Sequence, residues 1–147
     1  MKSLDQWLTE YSKDHQNPTN KKIHHFCVPL IMFSLLGMLW AIPTPNFLKT
    51  IPYLNWATLF ALSGLFFYIS LSIKVAFFML INVTLQFYLI TLLEKTGFLF
   101  YSCLIIFILA WIGQFVGHKI EGQKPSFLED LQFLLIGPLW VFKKFFS

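Results

Sequence analysis

The fold is decided around the stretch Trp111–Pro125, WIGQFVGHKIEGQKP, where a long apolar run stops and side chains able to do chemistry begin. On a helix, one face of this stretch would carry four side chains spaced by three, four and three positions: Trp111, Gln114, His118 and Glu121. His118 and Glu121 are therefore both placed to reach one ion or one proton. The other three histidines lie between residues 15 and 25, so a shared site requires the fold to join two distant regions.

The composition predicts an integral membrane protein. Of the 147 residues, 56% are hydrophobic, 19% are aromatic and only 12% are charged. A soluble protein carries about 25% charged residues. There is too little polar surface here to cover a globule in water, so the apolar runs are expected to cross a bilayer.

The charges exclude some classes of function. All eleven basic residues are lysines, and they flank the apolar runs instead of following one face, so they predict membrane topology and no nucleic-acid binding. The two cysteines, Cys27 and Cys103, lie far apart in apolar segments and form no disulfide framework or metal-binding pattern.

The N-terminal residues 3–14 are predicted to form an amphipathic helix. Its apolar positions follow the i, i+3, i+4, i+7 pattern: Leu4, Trp7, Leu8 and Tyr11. Such a helix either lies flat on the membrane or packs on the polar cap of the protein. The turn signal Asn17-Pro18 ends this segment, and Thr19 or Asn20 is expected to cap the next helix.

Four apolar runs are each close to the roughly 20 residues that a membrane span needs, at residues 26–42, 53–73, 75–93 and 97–117. They predict an all-α integral membrane four-helix bundle forming one domain over residues 1–147, with a tight turn near Lys74. The capping box Ser126–Glu129 predicts a C-terminal helix. Its apolar part, Phe133–Phe142, is short and contains Gly137-Pro138, so an interfacial or half-inserted helix is expected, with a fifth span as the alternative.

Four spans return the chain to its starting side of the membrane. Nine of the eleven lysines then share that side: Lys2, Lys13, Lys21, Lys22, Lys74, Lys119, Lys124, Lys143 and Lys144. This bias predicts that both termini are cytoplasmic. The same parity places all four histidines at one face of the membrane.

A set of imidazoles and a carboxylate at one membrane face predicts a metal site. The candidate ligands are His15, His24, His118 and Glu121, a set that suits ferrous iron or zinc. The alternative for each histidine alone is a bond to a lipid headgroup or to the backbone. Three further side chains are candidates for supporting the ligands, because metal-bound histidines usually donate their second N–H to an oxygen: Asn17, Asn20 and Gln114.

Two blocks of the sequence resemble a known family. The first is Tyr11-x3-His15-x-Asn17-x2-Asn20-x3-His24-x4-Pro29, and the second is Trp111-x2-Gln114-Phe115-x-Gly117-His118, which continues to Glu121-Gly122, Pro125, Asp130 and Gly137-Pro138. Both resemble the small multi-pass membrane proteins typified by the yeast endoplasmic-reticulum 2-hydroxy fatty acid dioxygenase, a family formerly described as a domain of unknown function. The match covers nearly the whole chain, although the middle spans match only in hydrophobicity.

The resemblance implies iron(II)-dependent α-oxidation, in which a 2-hydroxy fatty acid reacts with dioxygen and becomes a fatty acid one carbon shorter. The family's histidines correspond to His15, His24 and His118, and its carboxylate corresponds to Glu121. The wider family has one more residue between the last histidine and the glutamate, so the spacing here resembles a bacterial branch. The implied location is the bacterial inner membrane, or the endoplasmic reticulum in a eukaryote.

The same residues are also compatible with two other functions. Zinc at the site would favour hydrolysis of a lipid, whereas a non-enzymatic scaffold would use the polar cap as an assembly surface. The sequence specifies neither the oligomeric state nor the chain length of a lipid substrate.

Overall fold

The computed structural model of the protein describes residues 2–122 and 133–146. Regular secondary structure in these two ranges is entirely helical, so the prediction of an all-α fold is confirmed. The helices described there are α1 (Leu4–Lys13), α2 (Pro18–Ala41), α3 (Trp56–Leu71), α4 (Ile73–Glu94), α5 (Leu99–Glu121), α6 (Ile136–Phe142) and a 3-10 helix (Lys143–Phe145). The predicted capping box at Ser126–Glu129 lies outside the described residues.

Among the described helices, α2, α4 and α5 are long and apolar enough to cross a membrane, with 24, 22 and 23 residues. The α3 helix has 16 residues and is about 24 Å long, shorter than a bilayer core of about 30 Å. It is shorter than the predicted run 53–73 because a capping box fixes its start at Asn55. The Asn55 Oδ1 atom accepts the Thr58 N–H at 3.0 Å, and Thr58 Oγ1 accepts the Asn55 N–H at 2.9 Å.

The α2 helix begins well before the apolar run that predicts it. Asn17 is its cap, since the Asn17 side-chain oxygen accepts the N–H of Thr19 at 2.8 Å and of Asn20 at 3.4 Å. The prediction that Thr19 or Asn20 caps this helix was therefore wrong. Pro18 takes the first helical position, where its fixed φ and missing N–H carry no penalty.

The amphipathic helix α1 packs on the C-terminal part of the protein. Tyr11 is buried, and its ring lies 5.3 Å from the rings of both Phe133 and Trp140. Trp140 Nε1 donates a hydrogen bond to Ser12 Oγ at 2.8 Å. Of the two placements that the sequence left open, the contacts in the structure support packing on the protein's own polar cap.

The chain divides into two compact units, and α2 and α5 contribute to both. One unit comprises residues 1–32 and 107–147, and the other comprises residues 33–106. The second unit contains the α3–α4 hairpin, whose turn lies at Ser72, close to the predicted turn at Lys74. The Ser72 N–H bonds to the Tyr68 carbonyl at 2.9 Å and ends α3, while the Ser72 carbonyl accepts from Ala76 at the start of α4. The prediction of one domain over residues 1–147 stays a prediction.

The described helices expose an extensive apolar surface. Large exposed side chains include Phe66 on α3, Phe77 on α4 and Tyr101 on α5, at 74%, 65% and 67% of their full areas. Exposed apolar surface of this extent is unfavourable in water and is expected where lipid covers a protein. The surface therefore agrees with the three helices that are long enough to span a membrane.

The second unit contains a close helix contact that can be tested by substitution. A Cβ atom on Gly37 would overlap the Sγ atom of buried Cys103. We expect Gly37→Ala to lower the free energy of unfolding by about 1–3 kcal/mol, because the added methyl group would overpack the core at this contact. Thermal unfolding in detergent measures the effect.

Cys103→Ala in the Gly37→Ala background should recover most of this loss, because it removes the sulfur atom that the new methyl group meets. Cys103→Ala alone measures the cost of the missing sulfur. A double variant no more stable than Gly37→Ala would contradict this account of the contact.

Candidate metal centre

Three histidines from distant parts of the chain meet in the unit formed by residues 1–32 and 107–147. His15 follows α1, His24 lies in the second turn of α2 and His118 lies in the last turn of α5. One ring nitrogen from each histidine lies within 4.8 Å of the corresponding atoms of the other two. All three side chains are buried, with exposed fractions of 3%, 0% and 5%. The structure therefore brings together the three histidines that the sequence selects.

Backbone carbonyls orient two of the rings. His15 Nδ1 lies 2.7 Å from the Tyr11 carbonyl oxygen, and His24 Nδ1 lies 3.1 Å from the Asn20 carbonyl oxygen. A carbonyl only accepts, so each ring carries its proton on Nδ1 and presents the lone pair of Nε2. This orientation by a second hydrogen bond is typical of histidines that bind a metal.

The aromatic rings of Tyr11 and Trp140 pack beside the histidines. The Tyr11 ring stacks on His15 at 4.2 Å, with an angle of 4° between the two planes. The Trp140 ring lies 5.3 Å from the His15 ring and 4.9 Å from the His25 ring. His25 is exposed and lies outside the three-histidine group.

Glycines allow the two helices that carry His24 and His118 to approach closely. Gly117 faces Asn20 and the ring of His24, and a Cβ atom at Gly117 would lie 3.2 Å from His24 Cε1 and would overlap Asn20 Oδ1. One turn earlier, a Cβ atom at Gly113 would lie 2.7 Å from Cys27 Sγ. Small residues four positions apart are the usual basis of close helix contacts in membranes.

Glu121 binds the turn between α1 and α2. Its carboxylate accepts the Gln16 N–H at 2.8 Å, the Asn17 N–H at 2.9 and 3.0 Å, and the Asn20 Nδ2 at 2.9 Å. These donors favour the ionised carboxylate, as does its place at the N-terminus of α2. Glu121 is not part of the group of three ring nitrogens, and its role as a metal ligand stays a prediction.

The predicted supporting residues have different surroundings. The buried Asn20 side chain donates to Glu121 and, at 3.4 Å, to the Asp14 carbonyl, while its backbone carbonyl is what accepts from His24. Asn17 bonds to Glu121 through its N–H and caps α2 with its side chain. Gln114 is buried one helical turn before His118 and lines a small cavity there. None of these three side chains is seen to accept the second N–H of a histidine in the described structure.

The donor set fits a divalent transition metal. Imidazole nitrogens bind iron and zinc well, and three protein ligands leave coordination positions open for substrate. The fit is supported by His24, whose buried Nε2 atom has no hydrogen-bond partner among the described residues. A buried polar atom without a hydrogen-bond partner is costly, so its presence calls for a functional explanation. A lone pair that lies close to two other imidazole nitrogens is suited to a metal ion.

Sequence reasoning assigned no role in this site to four of the residues that build it: Tyr11, Gly113, Gly117 and Trp140. The spacing of Gly113 and Gly117 is a signal for close helix packing that was available in the sequence. Tyr11 lies only four positions before His15, so its contact with that ring could also have been predicted from the sequence. Trp140 gave no signal, because it lies more than 100 residues from the histidine beside it.

Comparison with known proteins decides the family. The model of the family described as 2-hydroxy-palmitic acid dioxygenase Mpo1-like matches residues 1–147. The chain belongs to the Mpo1-like family. The 2-hydroxy-palmitic acid dioxygenase MPO1 of Saccharomyces cerevisiae is similar to this Mpo1-like chain, with 28% identity over 138 residues. The alignment covers 92% of the Mpo1-like chain described here and 75% of the yeast protein. No solved structure matches the chain.

Gly117→Ala tests the close helix contact in this Mpo1-like protein. The new methyl group would displace Asn20 and the His24 ring. We therefore expect the amount of retained metal to fall at least about tenfold, which is the usual effect of losing a residue that orients a metal ligand. Elemental analysis of the purified protein measures the retained metal.

Gly113→Ala is the matched control for this prediction. It adds the same methyl group one turn away, against Cys27 and not against a histidine. It should cost a comparable amount of thermal stability and keep the metal. Equal metal loss in both variants would assign the effect to general destabilisation of the helix pair.

Proposed function

We propose that this protein is an iron(II)-dependent dioxygenase that shortens 2-hydroxy fatty acids by one carbon. The observation that carries the proposal is the group of three buried imidazole nitrogens within 4.8 Å of one another, in a member of a family described as 2-hydroxy-palmitic acid dioxygenase Mpo1-like. The sequence places these same histidines in the blocks that resemble the family.

In this proposal His15, His24 and His118 hold the metal through their Nε2 atoms. The bonds from Nδ1 to the Tyr11 and Asn20 carbonyls fix the first two rings in the tautomer that ligation requires. When bound, iron(II) supplies the electrons that activate dioxygen and a positive charge that attracts the carboxylate and hydroxyl of the substrate. The chain itself orients the ligands and shields them from water.

The proposed reaction balances with one dioxygen molecule. The carbon that carries the hydroxyl becomes the new carboxylic acid and gives up three electrons. The original carboxyl carbon leaves as carbon dioxide and gives up one. Dioxygen takes up these four electrons, and water is the remaining product, so the fatty acid is one carbon shorter and no other reductant is consumed.

The location of the site suits a lipid substrate. His24 lies just before the apolar part of α2, and His118 lies just after the apolar part of α5, which ends at Val116. A fatty acid in the bilayer then has its carboxylate at the level of the histidines and its tail beside the apolar helices. The nearby Lys22 and Lys119 are exposed and are placed to attract an anionic headgroup.

We also propose that both termini face the cytoplasm. The support is the excess of lysines on the side of the termini, which is the usual signal for cytoplasmic loops. By the bacterial-type spacing of His118 and Glu121, the membrane is then a bacterial inner membrane. The three histidines would be loaded from the cytoplasmic metal pool.

Removing each ligand tests the metal and the activity together. We expect protein purified without oxygen to contain near-stoichiometric iron and to consume dioxygen with a 2-hydroxy fatty acid. His15→Ala, His24→Ala and His118→Ala should each reduce bound iron at least about tenfold while the protein still inserts in the membrane. His25→Ala, which changes the exposed neighbour of His24, should keep wild-type iron and activity.

Other results of the same experiment would select the other functions. Bound zinc with turnover that does not require dioxygen would support a lipid hydrolase. Full metal occupancy in the histidine variants would contradict the ligand assignment, and no metal at all would favour a scaffold.

Glu121→Gln tests whether this carboxylate positions the ligands, as we propose, or binds the metal itself. The amide would present an NH2 group to the backbone N–H donors of Gln16 and Asn17 and disturb the turn beside His15. We expect about 10–100-fold weaker metal binding, with the nitrogen and oxygen coordination of the loaded site unchanged by X-ray absorption. Glu94→Gln, at the end of α4, is the control and should change neither quantity. Loss of one metal–oxygen bond would instead identify Glu121 as a ligand.

A further inference from the structure

His15 differs from the other two histidines in how its backbone is held. His24 lies inside α2 and His118 lies inside α5, so the hydrogen bonds of a helix fix both main chains. His15 lies in the irregular segment between α1 and α2. Ordering a residue costs conformational entropy, which contacts of its side chain must offset where no helix does so. The position of this histidine therefore depends on the groups that pack against it.

Trp140 of α6 packs against the His15 ring from the C-terminal part of the chain. The indole ring lies 5.3 Å from the His15 ring, at an angle of 45°, and 5.3 Å from the Tyr11 ring that stacks on His15. Trp140 is buried, with 3% of its area exposed. Tyr11 belongs to the same local segment as His15, whereas Trp140 is distant in sequence. The contact therefore makes the placement of His15 depend on the docking of α6.

Trp140 also holds the main chain that leads to His15. Its Nε1 atom donates to Ser12 Oγ at 2.8 Å, and Ser12 Oγ donates to the Leu8 carbonyl oxygen at 2.7 Å. The Ser12 carbonyl oxygen in turn accepts the His15 N–H at 3.2 Å. One side chain thus contacts the ring of the histidine and binds the residue to which its backbone is bonded.

The close approach of α6 to this segment depends on Gly137. A Cβ atom there would lie 3.3 Å from the Tyr11 hydroxyl oxygen and 3.2 Å from Val28 Cγ1. A side chain at this position would crowd both neighbours. The glycine therefore lets α6 bring Trp140 against His15.

We propose that Trp140 is a positioning residue for His15, so that docking of α6 completes the metal centre. The inference rests on the metal site of the proposed function. It makes the three ligands unequal, because α2 and α5 place His24 and His118, whereas the third nitrogen is in place only when Trp140 holds it. Loss of Trp140 should leave a metal bound by the other two histidines, more weakly and with a different coordination.

Cobalt(II) is the probe, because it binds imidazole and its visible absorption depends on its ligands, with neither iron nor turnover required. Titration of the metal-free protein in detergent gives the affinity and the spectrum together. We expect Trp140→Leu to weaken cobalt binding about 10–100-fold. At saturating cobalt its spectrum should resemble that of His15→Ala instead of the wild type. Trp140→Phe keeps an aromatic ring and loses the bond to Ser12, so it should weaken binding less.

Double variants test whether Trp140 acts through His15. In the His15→Ala background, Trp140→Leu should change the affinity for cobalt by less than about twofold, because the ring that it holds is already absent. In the His118→Ala background, where His15 remains, the same substitution should still weaken binding.

Trp7→Leu is the matched control for stability. The Trp7 ring packs 6.4 Å from the Phe133 ring, in the same interface between α1 and the C-terminal part of the chain. Trp7→Leu should lower the unfolding temperature by an amount comparable to Trp140→Leu, and it should keep the affinity and the spectrum of bound cobalt.

The outcomes separate this inference from the proposed function. Wild-type cobalt affinity and spectrum in Trp140→Leu would overturn the positioning role and leave the ligand assignment in place. Equal losses in Trp140→Leu and Trp7→Leu, or a Trp140→Leu effect that persists in full without His15, would also overturn it. A wild type that binds cobalt with the expected dependence on Trp140, but consumes no dioxygen when loaded with iron, would overturn the dioxygenase and keep the positioning role. A wild type that binds neither cobalt nor iron would overturn both.

Discussion

The close approach of α2 and α5 at Gly117 is the constraint on which the candidate metal centre depends. His24 and His118 approach each other because α5 presents Gly117 where α2 presents Asn20 and His24, while Gly113 faces Cys27 one turn away. In a membrane no hydrophobic force draws two apolar helices together, so close packing of small residues takes its place. The same contact buries His24 completely, which makes a defined partner for its Nε2 atom necessary.

The carboxylate of Glu121 secures this arrangement at the polar end. It lies at the end of α5 and accepts N–H groups from the turn before α2, so it fixes the segment between His15 and His24 relative to the helix that carries His118. Its partners are the otherwise unsatisfied N–H groups at a helix start, where a negative charge is favourable. In the proposed metal site, a carboxylate engaged in this way would hold the ligands in place.

Much of this site follows from the sequence, and the missing parts have a physical cause. The lysine distribution and the four predicted spans lead to the prediction that His15, His24 and His118 share one membrane face, and the structure brings these three side chains together. The partners of Glu121 were not predictable, since Gln16 and Asn17 are more than 100 positions away and their N–H groups belong to the backbone. The start of α2 was misassigned because Pro18, a first-turn residue, shifts the cap to Asn17.

The two faces of the candidate metal centre differ in polarity, and the two ends of the proposed fatty acid substrate differ in the same way. On the outer side are Glu121, the turn at Asn17 and exposed lysines, an environment that suits the carboxylate and hydroxyl of a fatty acid. On the inner side are buried apolar side chains of α2 and α5, among them Ile31 and Trp111, which suit the apolar tail of a lipid. A site at the end of two membrane helices has both environments within one helical turn. The position of the histidines in the sequence, at the borders of two apolar runs, therefore suits a lipid whose polar headgroup reaches the three nitrogens while its tail stays beside the apolar helices.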